Sequence, residues 1–413
     1  MADSLLSGFR ALDLTDEKGF VCGKILAALG VETIKVEKPG GDPARGIPPF
    51  LHNAPEPEKS LYWFAFNTDK RSITLNLEAS QGRDLFRKLV ERADFVLESF
   101  TPGYMDSLGL SYEALRRLNP RIIVTSITPF GQKGPYAQYK GSELIASAMS
   151  GVLISTGDPD RAPVREGPDS IYFQSNAAAA LGTVIAHYHR EMTGEGQQVD
   201  VSLQEVAASR TSSNLVVYEF DKRLIKRNAT VRTVGARATQ WLWRCKDGYV
   251  FWPYMGGPGG APANRALSQW INDDGLENPL NRVTNWDEFD FATVSRAELD
   301  VQQEAIRKFF MNHTKKEITE EGLKRGINAC AINSPADVLE NPQLKARSYW
   351  VDLEHPELGI KLTYPKYFFL SNQTENFIRR RAPLIGEDND DIYANELGSS
   401  STEIAALKAA GVI

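Results

Sequence analysis

Two spacings of hydrophobic residues take turns along the first third of the chain. Phe9-Arg10-Ala11-Leu12-Asp13-Leu14 reads as a short strand. Cys22 to Leu29 repeats every three to four residues, as a helix does, and is closed by Gly30. Val31 to Val36 returns to the strand pattern, and so does Ser72 to Leu77. The amphipathic stretch Ser80 to Ala93 predicts a helix, Phe95-Val96-Leu97 a strand, and Arg121 to Ile127 another strand. Strands alternating with helices predict an α/β fold, with a parallel sheet covered on both faces. Further on, Ser175 to Met192 reads as one long helix, with alanines at 177–180 and a stop at Thr193-Gly194, and residues 199–203 read as a strand.

The middle of the chain changes character. It opens basic, with Lys222, Arg223, Lys226 and Arg227. Trp241-Leu242-Trp243 and Val250-Phe251-Trp252 then flank the turn Lys246-Asp247-Gly248, and charged helical sequence follows. This predicts a smaller domain over 225–325, between a larger domain's N-terminal part (1–205) and its C-terminal part (330–413), which ends in a short helix from Glu403 to Ala410. A length of 413 residues agrees with two domains, because single cores stop growing near 250–300 residues.

Composition narrows the function. A net charge of −6 argues against a general binder of nucleic acid or membrane surfaces, so any anionic ligand needs a local basic patch. Cys22, Cys245 and Cys330 are scattered and read as reduced thiols. His187 and His189 are two apart and point to different helix faces, which gives no metal site. No basic leader precedes an apolar run at Met1-Ala2-Asp3-Ser4, and no stretch approaches a membrane span of about 20 apolar residues. The expectation is a cytoplasmic protein. The absence of G-x-G-x-x-G leaves a dinucleotide site unsupported.

Several short motifs follow one another in a set order. They begin with Gly8-Phe9-Arg10-Ala11-Leu12-Asp13-Leu14-Thr15, Gly30-Val31-Glu32-Thr33-Ile34-Lys35-Val36-Glu37-Lys38-Pro39 and Asp69-Lys70-Arg71-Ser72. Next come Phe100-Thr101-Pro102-Gly103, Gly131-Gln132-Lys133-Gly134-Pro135 and Pro163-Val164-Arg165-Glu166-Gly167, then Thr193-Gly194-Glu195-Gly196-Gln197, Asn333-Ser334-Pro335 and Ala382-Pro383-Leu384-Ile385-Gly386. In this order they resemble the family III CoA-transferases over most of the chain outside 210–320. The resemblance implies a Rossmann-like large domain built from both chain ends, a smaller middle domain, and two chains interlocked like links. It also implies transfer of CoA between carboxylic acids, with a CoA thioester as substrate and no permanently bound cofactor.

In that family a catalytic Asp lies five residues after the glycine of P-x-R-x-G and twenty-one before the threonine of T-G-x-G-Q. Both counts arrive at Tyr172 here. The carboxylate attacks the donor thioester to give a mixed anhydride, takes up CoA as an aspartyl thioester and hands it to the acceptor acid. A phenol of ordinary pKa about 10 cannot carry CoA as an acyl thioester. Asp169 is the nearest carboxylate, with two readings: a cap for the following helix, or a substitute nucleophile.

By the same resemblance, Lys38, Leu75 and the segment containing Lys140 and Glu143 fall at CoA-contacting positions, beside Ser99 and Phe100. Ser99 stands where relatives carry Asn, Thr101 where a basic residue or His is frequent, and Ser107 where Arg is common. These losses predict a weakened phosphate patch, and Lys38 and Lys140 read equally well as solvated surface lysines. Gly256 to Gly260 is either a mobile loop over the acyl group or a strand-to-helix connection, and the second fits its place after the tryptophan strands. The aromatic run Tyr62 to Phe66 reads as core, with contact to an aromatic acid as the alternative.

Three functions remain open. The first is a non-catalytic subunit paired with an Asp-bearing paralogue, as a heterodimer or heterotetramer. The second is a self-sufficient transferase or racemase using Asp169. The third is an acyl-CoA-binding scaffold.

Overall fold

The computed structural model describes residues 4–167, 169–234, 237–366, 368–374 and 377–413. Pro168, which precedes Asp169, lies outside the described residues. The chain divides into two compact units: residues 1–153, 165–224 and 345–413 form the first, and 154–164 with 225–344 form the second.

The first unit is built on six parallel strands: β1 (Arg10–Asp13), β2 (Glu32–Glu37), β3 (Arg71–Thr74), β4 (Phe95–Glu98), β5 (Ile123–Thr128) and β6 (Gln198–Ser202). Their order is β3-β2-β1-β4-β5-β6. Side chains alternate across a strand, so Ala11, Phe95 and Leu97 enter one apolar layer while Leu12 and Val96 enter the other. Helix α1 (Phe20–Ala28) and the long helix Ser170–Thr193 contribute Cys22, Leu26, Ala179 and Ala180 to the first layer. Helix α3 (Ser80–Val90) contributes Leu85, Phe86 and Leu89 to the second, joined there by Tyr393 and Ile404. Burial on both faces fits the apolar run Phe95-Val96-Leu97 of β4, whereas β2 and β5 bury polar positions such as Lys35, Glu37, Thr125 and Ser126.

Buried charge fixes the sheet's centre. Lys70 Nζ donates to Asp13 Oδ2 (2.7 Å), Asn67 Oδ1 (2.8 Å) and the Phe20 carbonyl (2.9 Å), and neither Lys70 nor Asp13 is exposed. Gly23 on α1 faces this pair, and a Cβ there would meet Asp13 Oδ2 at 2.2 Å. Glu37 and Arg45 form a second buried pair, with Nε and Nη2 of the guanidinium donating to Oε2 at 2.7 Å and to Oε1 at 2.8 Å. The edge strand β3 is closed by the C-terminal segment. Ser72 N donates to Asp388 Oδ2 (2.8 Å), Thr74 N to Asn389 Oδ1 (2.9 Å), and Tyr393 Oη to the Thr74 carbonyl (2.7 Å).

Residues 170–174, outside the predicted helix, form the first turns of the long helix, which therefore places Tyr172 on a helix rather than in the preceding turn. Asp169 occupies the N-cap position at φ 62°, but its side chain makes no capping bond, which corrects the capping role expected for it.

In the second unit, strands Leu242–Cys245 and Gly248–Phe251 form the expected antiparallel hairpin, extended by Cys330–Ala331. Helices Gly257–Asp273, Arg296–Asn312 and Lys315–Arg325 surround a core that includes Trp243, Trp252, Tyr254, Trp270, Phe309 and Phe310. Of the run 256–260, Gly256 is the N-cap and residues 257–260 form the first turn of the helix Gly257–Asp273, which corrects both the loop and the connection expected there. A Cβ on Gly256 would strike the Phe289 carbonyl (2.5 Å), and one on Gly260 the Met255 carbonyl (2.0 Å). Among the described residues, no helix is long and apolar enough to cross a membrane.

Candidate functional site

Tyr172 projects from the first turn of the long helix into the layer beneath β1, β4 and β5, and is 7% exposed. Its hydroxyl accepts the backbone N–H of Glu143 at 3.2 Å. Its carbonyl accepts Asn176 Nδ2 at 2.7 Å. The same Nδ2 donates to the Lys18 carbonyl at 2.6 Å, while Asn176 Oδ1 accepts Cys22 N at 2.8 Å. Asn176 thus clamps the segment leading into α1 against the start of the long helix, and brings Asp16-Glu17-Lys18 beside Tyr172.

Carboxylates dominate the surroundings. Glu143 is buried, its Oε1 accepting Ile171 N at 2.9 Å and its Oε2 accepting Arg165 Nε at 3.0 Å. Arg165 also approaches Asp169 at 3.9 Å. Lys18 pairs with Asp16. Burial, reinforced by Glu17, pushes the Tyr172 hydroxyl well above the phenol range. Burial and Glu143 raise Asp169, although Arg165 opposes them. Burial and Asp16 raise Glu17 in the same way. Tyr62, on helix α2 (Leu61–Phe66), is raised by burial and then by Asp169. The site therefore favours neutral side chains. Both nearby cations, Lys18 and Arg165, are already paired, so a carboxylate arriving beside Tyr172 would meet like charge.

Four of the six CoA-contact candidates meet elsewhere, in a cleft of about 230 Å³ lined by Lys38, Leu75, Ser99 and Phe100 together with Leu14, Asp16 and Tyr104. It opens beyond the C-terminal ends of β1 and β4, where the strand order reverses and where open α/β sheets receive their ligands. Ser99 Oγ donates to Asp16 Oδ1 at 2.8 Å and accepts Asp16 N at 2.9 Å, so this cleft adjoins the Tyr172 site through one residue. Lys38 is exposed, its ammonium 3.1 Å from Glu78. Tyr104 Oη also donates to Glu78, at 3.2 Å. Among the described residues lining the cleft, Lys38 is the one exposed cation, and Glu78 partly neutralises it. Lys140 is exposed and lines no part of this cleft, and Glu143 is committed to Ile171 and Arg165.

The segment Asp16-Glu17-Lys18 escaped sequence reasoning. Lying between a strand and a helix, it carries no pattern of its own, and its importance comes from Asn176, which lies 158 positions from Lys18. Among the described residues, no cluster of His, Cys, Asp or Glu is arranged to hold a metal.

The sequence matches the family model of CoA-transferase family III over residues 6–389. It is 34% identical to succinyl-CoA:(R)-benzylsuccinate CoA-transferase subunit BbsE of Thauera aromatica, over 98% of both chains. It is 30% identical to formyl-CoA:oxalate CoA-transferase of Streptomyces avermitilis, over 99% of both. Among solved structures, a CaiB/BaiF family protein from Brucella suis aligns with a TM-score of 0.81 at 27% identity, covering 95% of this chain and 99% of that one.

Proposed function

The chain belongs to CoA-transferase family III, and from that premise we propose that it is the non-catalytic subunit of a heteromeric, cytoplasmic CoA-transferase. Its partner would be a paralogue that keeps the Asp. The observation that supports this reading is Tyr172, a buried phenol kept protonated among carboxylates, at the position to which the motif counts assign the nucleophile. The likeness to a benzylsuccinate transferase subunit supports succinyl-CoA as CoA donor and an aromatic dicarboxylic acid such as (R)-benzylsuccinate as acceptor, the chemistry of anaerobic toluene degradation.

In this arrangement the acyl carrier is the partner's Asp. A mixed anhydride forms as CoA leaves the donor; CoA returns to the Asp carbonyl and releases the donor acid; the acceptor acid then reverses both steps. The present chain contributes scaffold, and CoA contacts at the Lys38–Phe100 cleft that are weaker than in a working subunit. The exposed apolar residues Leu181, Ile185, Tyr188 and Met192 share one face of the long helix and favour a tightly associated partner.

The test is CoA transfer from succinyl-CoA to (R)-benzylsuccinate by this chain alone and by its co-purified complex with the paralogue. Turnover by the complex only supports the proposal. Turnover by the chain alone overturns it, and loss of that turnover in Asp169→Asn would assign the chemistry to Asp169. A stable complex that binds acyl-CoA and never turns over would instead mark a scaffold.

A further inference from the structure

A second cavity, of about 590 Å³, lies wholly within the first unit, between α1, α2 and the two-stranded hairpin Trp350–His355 and Ile360–Pro365. Phe64, Phe66, Phe173, Tyr364, Phe368 and Ile378 give it an apolar, largely aromatic wall. Lys24 is the single charged side chain among the described residues that line it. Lys24 is 8% exposed, and among the described residues its ammonium donates only to the Ala65 carbonyl, at 2.6 Å. An ammonium has three N–H donors, so capping the end of α2 leaves two unused. Burial, followed by repulsion from Lys70, lowers Lys24 to about 8, with the Asp69 carboxylate opposing from nearby but making no hydrogen bond to it among the described residues. A buried cation in an apolar wall is costly unless an anion meets it.

We infer that this cavity binds a carboxylic acid with an aromatic or similarly bulky apolar body, its carboxylate on Lys24 and its body among Phe64, Phe66, Phe173 and Phe368. A mostly apolar hollow of several hundred cubic ångströms with one convergent polar group is the usual form of a small-molecule site. Phe173 directly follows Tyr172, so the cavity flanks the first-turn site while having the opposite character: a cation in an apolar wall in place of clustered carboxylates. The inference rests on the transferase reading for the identity of the acid, the acceptor or a mimic of it, but binding requires neither CoA nor the paralogue.

Isothermal titration calorimetry on the full chain tests it with 3-phenylpropionate, its neutral amide 3-phenylpropanamide, and succinate, which lacks the aromatic body. Phenylpropionate is expected to bind at least about tenfold more tightly than either comparison ligand. Lys24→Met should remove the preference for acid over amide, while Phe173→Ala and Phe368→Ala, at exposed positions, should weaken acid and amide alike. Equal affinity for acid and amide in the parent chain overturns the inference, as does absence of acid binding. Should Lys24→Met fail to fold, the acid-to-amide ratio and the two phenylalanine variants decide alone. Aromatic-acid binding without transfer by any complex would sink the transferase reading and leave the site standing. Transfer by the complex without such binding would sink only the site.

Discussion

The phenol of Tyr172 is held from two sides, by the Glu143 N–H at its hydroxyl and by Asn176 at its carbonyl. Removing the hydroxyl leaves a buried N–H without its acceptor. Tyr172→Phe is expected to cost about 1 kcal/mol in urea unfolding, with no loss of transfer by the assembled complex. Tyr172→Asp supplies the carboxylate that the proposal assigns to this position but places it among Glu17, Glu143 and Asp169, which favour the protonated carboxyl; we expect no turnover by that variant alone. Asp69 gives a different signature. It sits at φ 63°, its Oδ1 accepts Arg379 N and Arg380 N, its Oδ2 is buried without a partner among the described residues, and burial raises it to about 6. Between pH 4 and 6 the folded state keeps a proton that the unfolded chain has lost, so stability falls as pH rises through that window, by on the order of 3 kcal/mol. Asp69→Asn, which keeps the accepting oxygen and tolerates the backbone angle, should be more stable than the parent at pH 7 and equal to it at pH 4. The sequence singles out Tyr172 because two motifs count to it, and its role stands as part of the proposal. The unpaired oxygen of Asp69 was not, because its surroundings come from a segment more than three hundred positions away.

In the first unit β4 was legible from its apolar run, and β1 and β5 from their places in the alternation of strand and helix patterns. The start of the long helix was hidden. Ile171, Tyr172 and Phe173 are poor helix formers by themselves, and the residue that precedes the helix, Asp169, lies in the left-handed region without capping. Those first turns are held by tertiary bonds instead, chiefly Glu143 to Ile171 and Asn176 to the entry of α1. Asn176→Ala would take the Asn176 donor from the Lys18 carbonyl and leave Cys22 N with only its bond to the Gly19 carbonyl, and a loss of about 2 kcal/mol is expected in thermal or urea unfolding. Hydrogen exchange should show the loss concentrated in the starts of α1 and the long helix. The buried Lys70–Asp13 pair was likewise invisible, since a lysine at the start of a strand reads as surface until the sheet is assembled.

At the scale of the molecule, the alternation of strand and helix patterns and the family order of motifs both point to the α/β class, whereas neither marks the exposed apolar face of the long helix. Leu181 and Ile185 are 61% and 58% exposed, Tyr188 and Met192 67% and 63%, on one face of a single helix. Ile185→Asp is expected to release this chain from its partner in size-exclusion chromatography while leaving its melting temperature as a lone chain within about 2 °C, since that position carries none of its own core.

The closure of β3 bears on how the protein is made. Ser72 and Asp388 are separated by 316 positions, so the sheet emerges from the ribosome with an open edge. At about 5–20 residues per second, that edge waits roughly 15–60 s for the carboxylate and amide that seal it. Throughout that interval the nascent sheet offers unpaired backbone to any neighbouring strand, which makes this a chain whose yield should depend on chaperones and on slow, cool expression. Cutting it before Asp388 should turn a soluble product into an aggregating one.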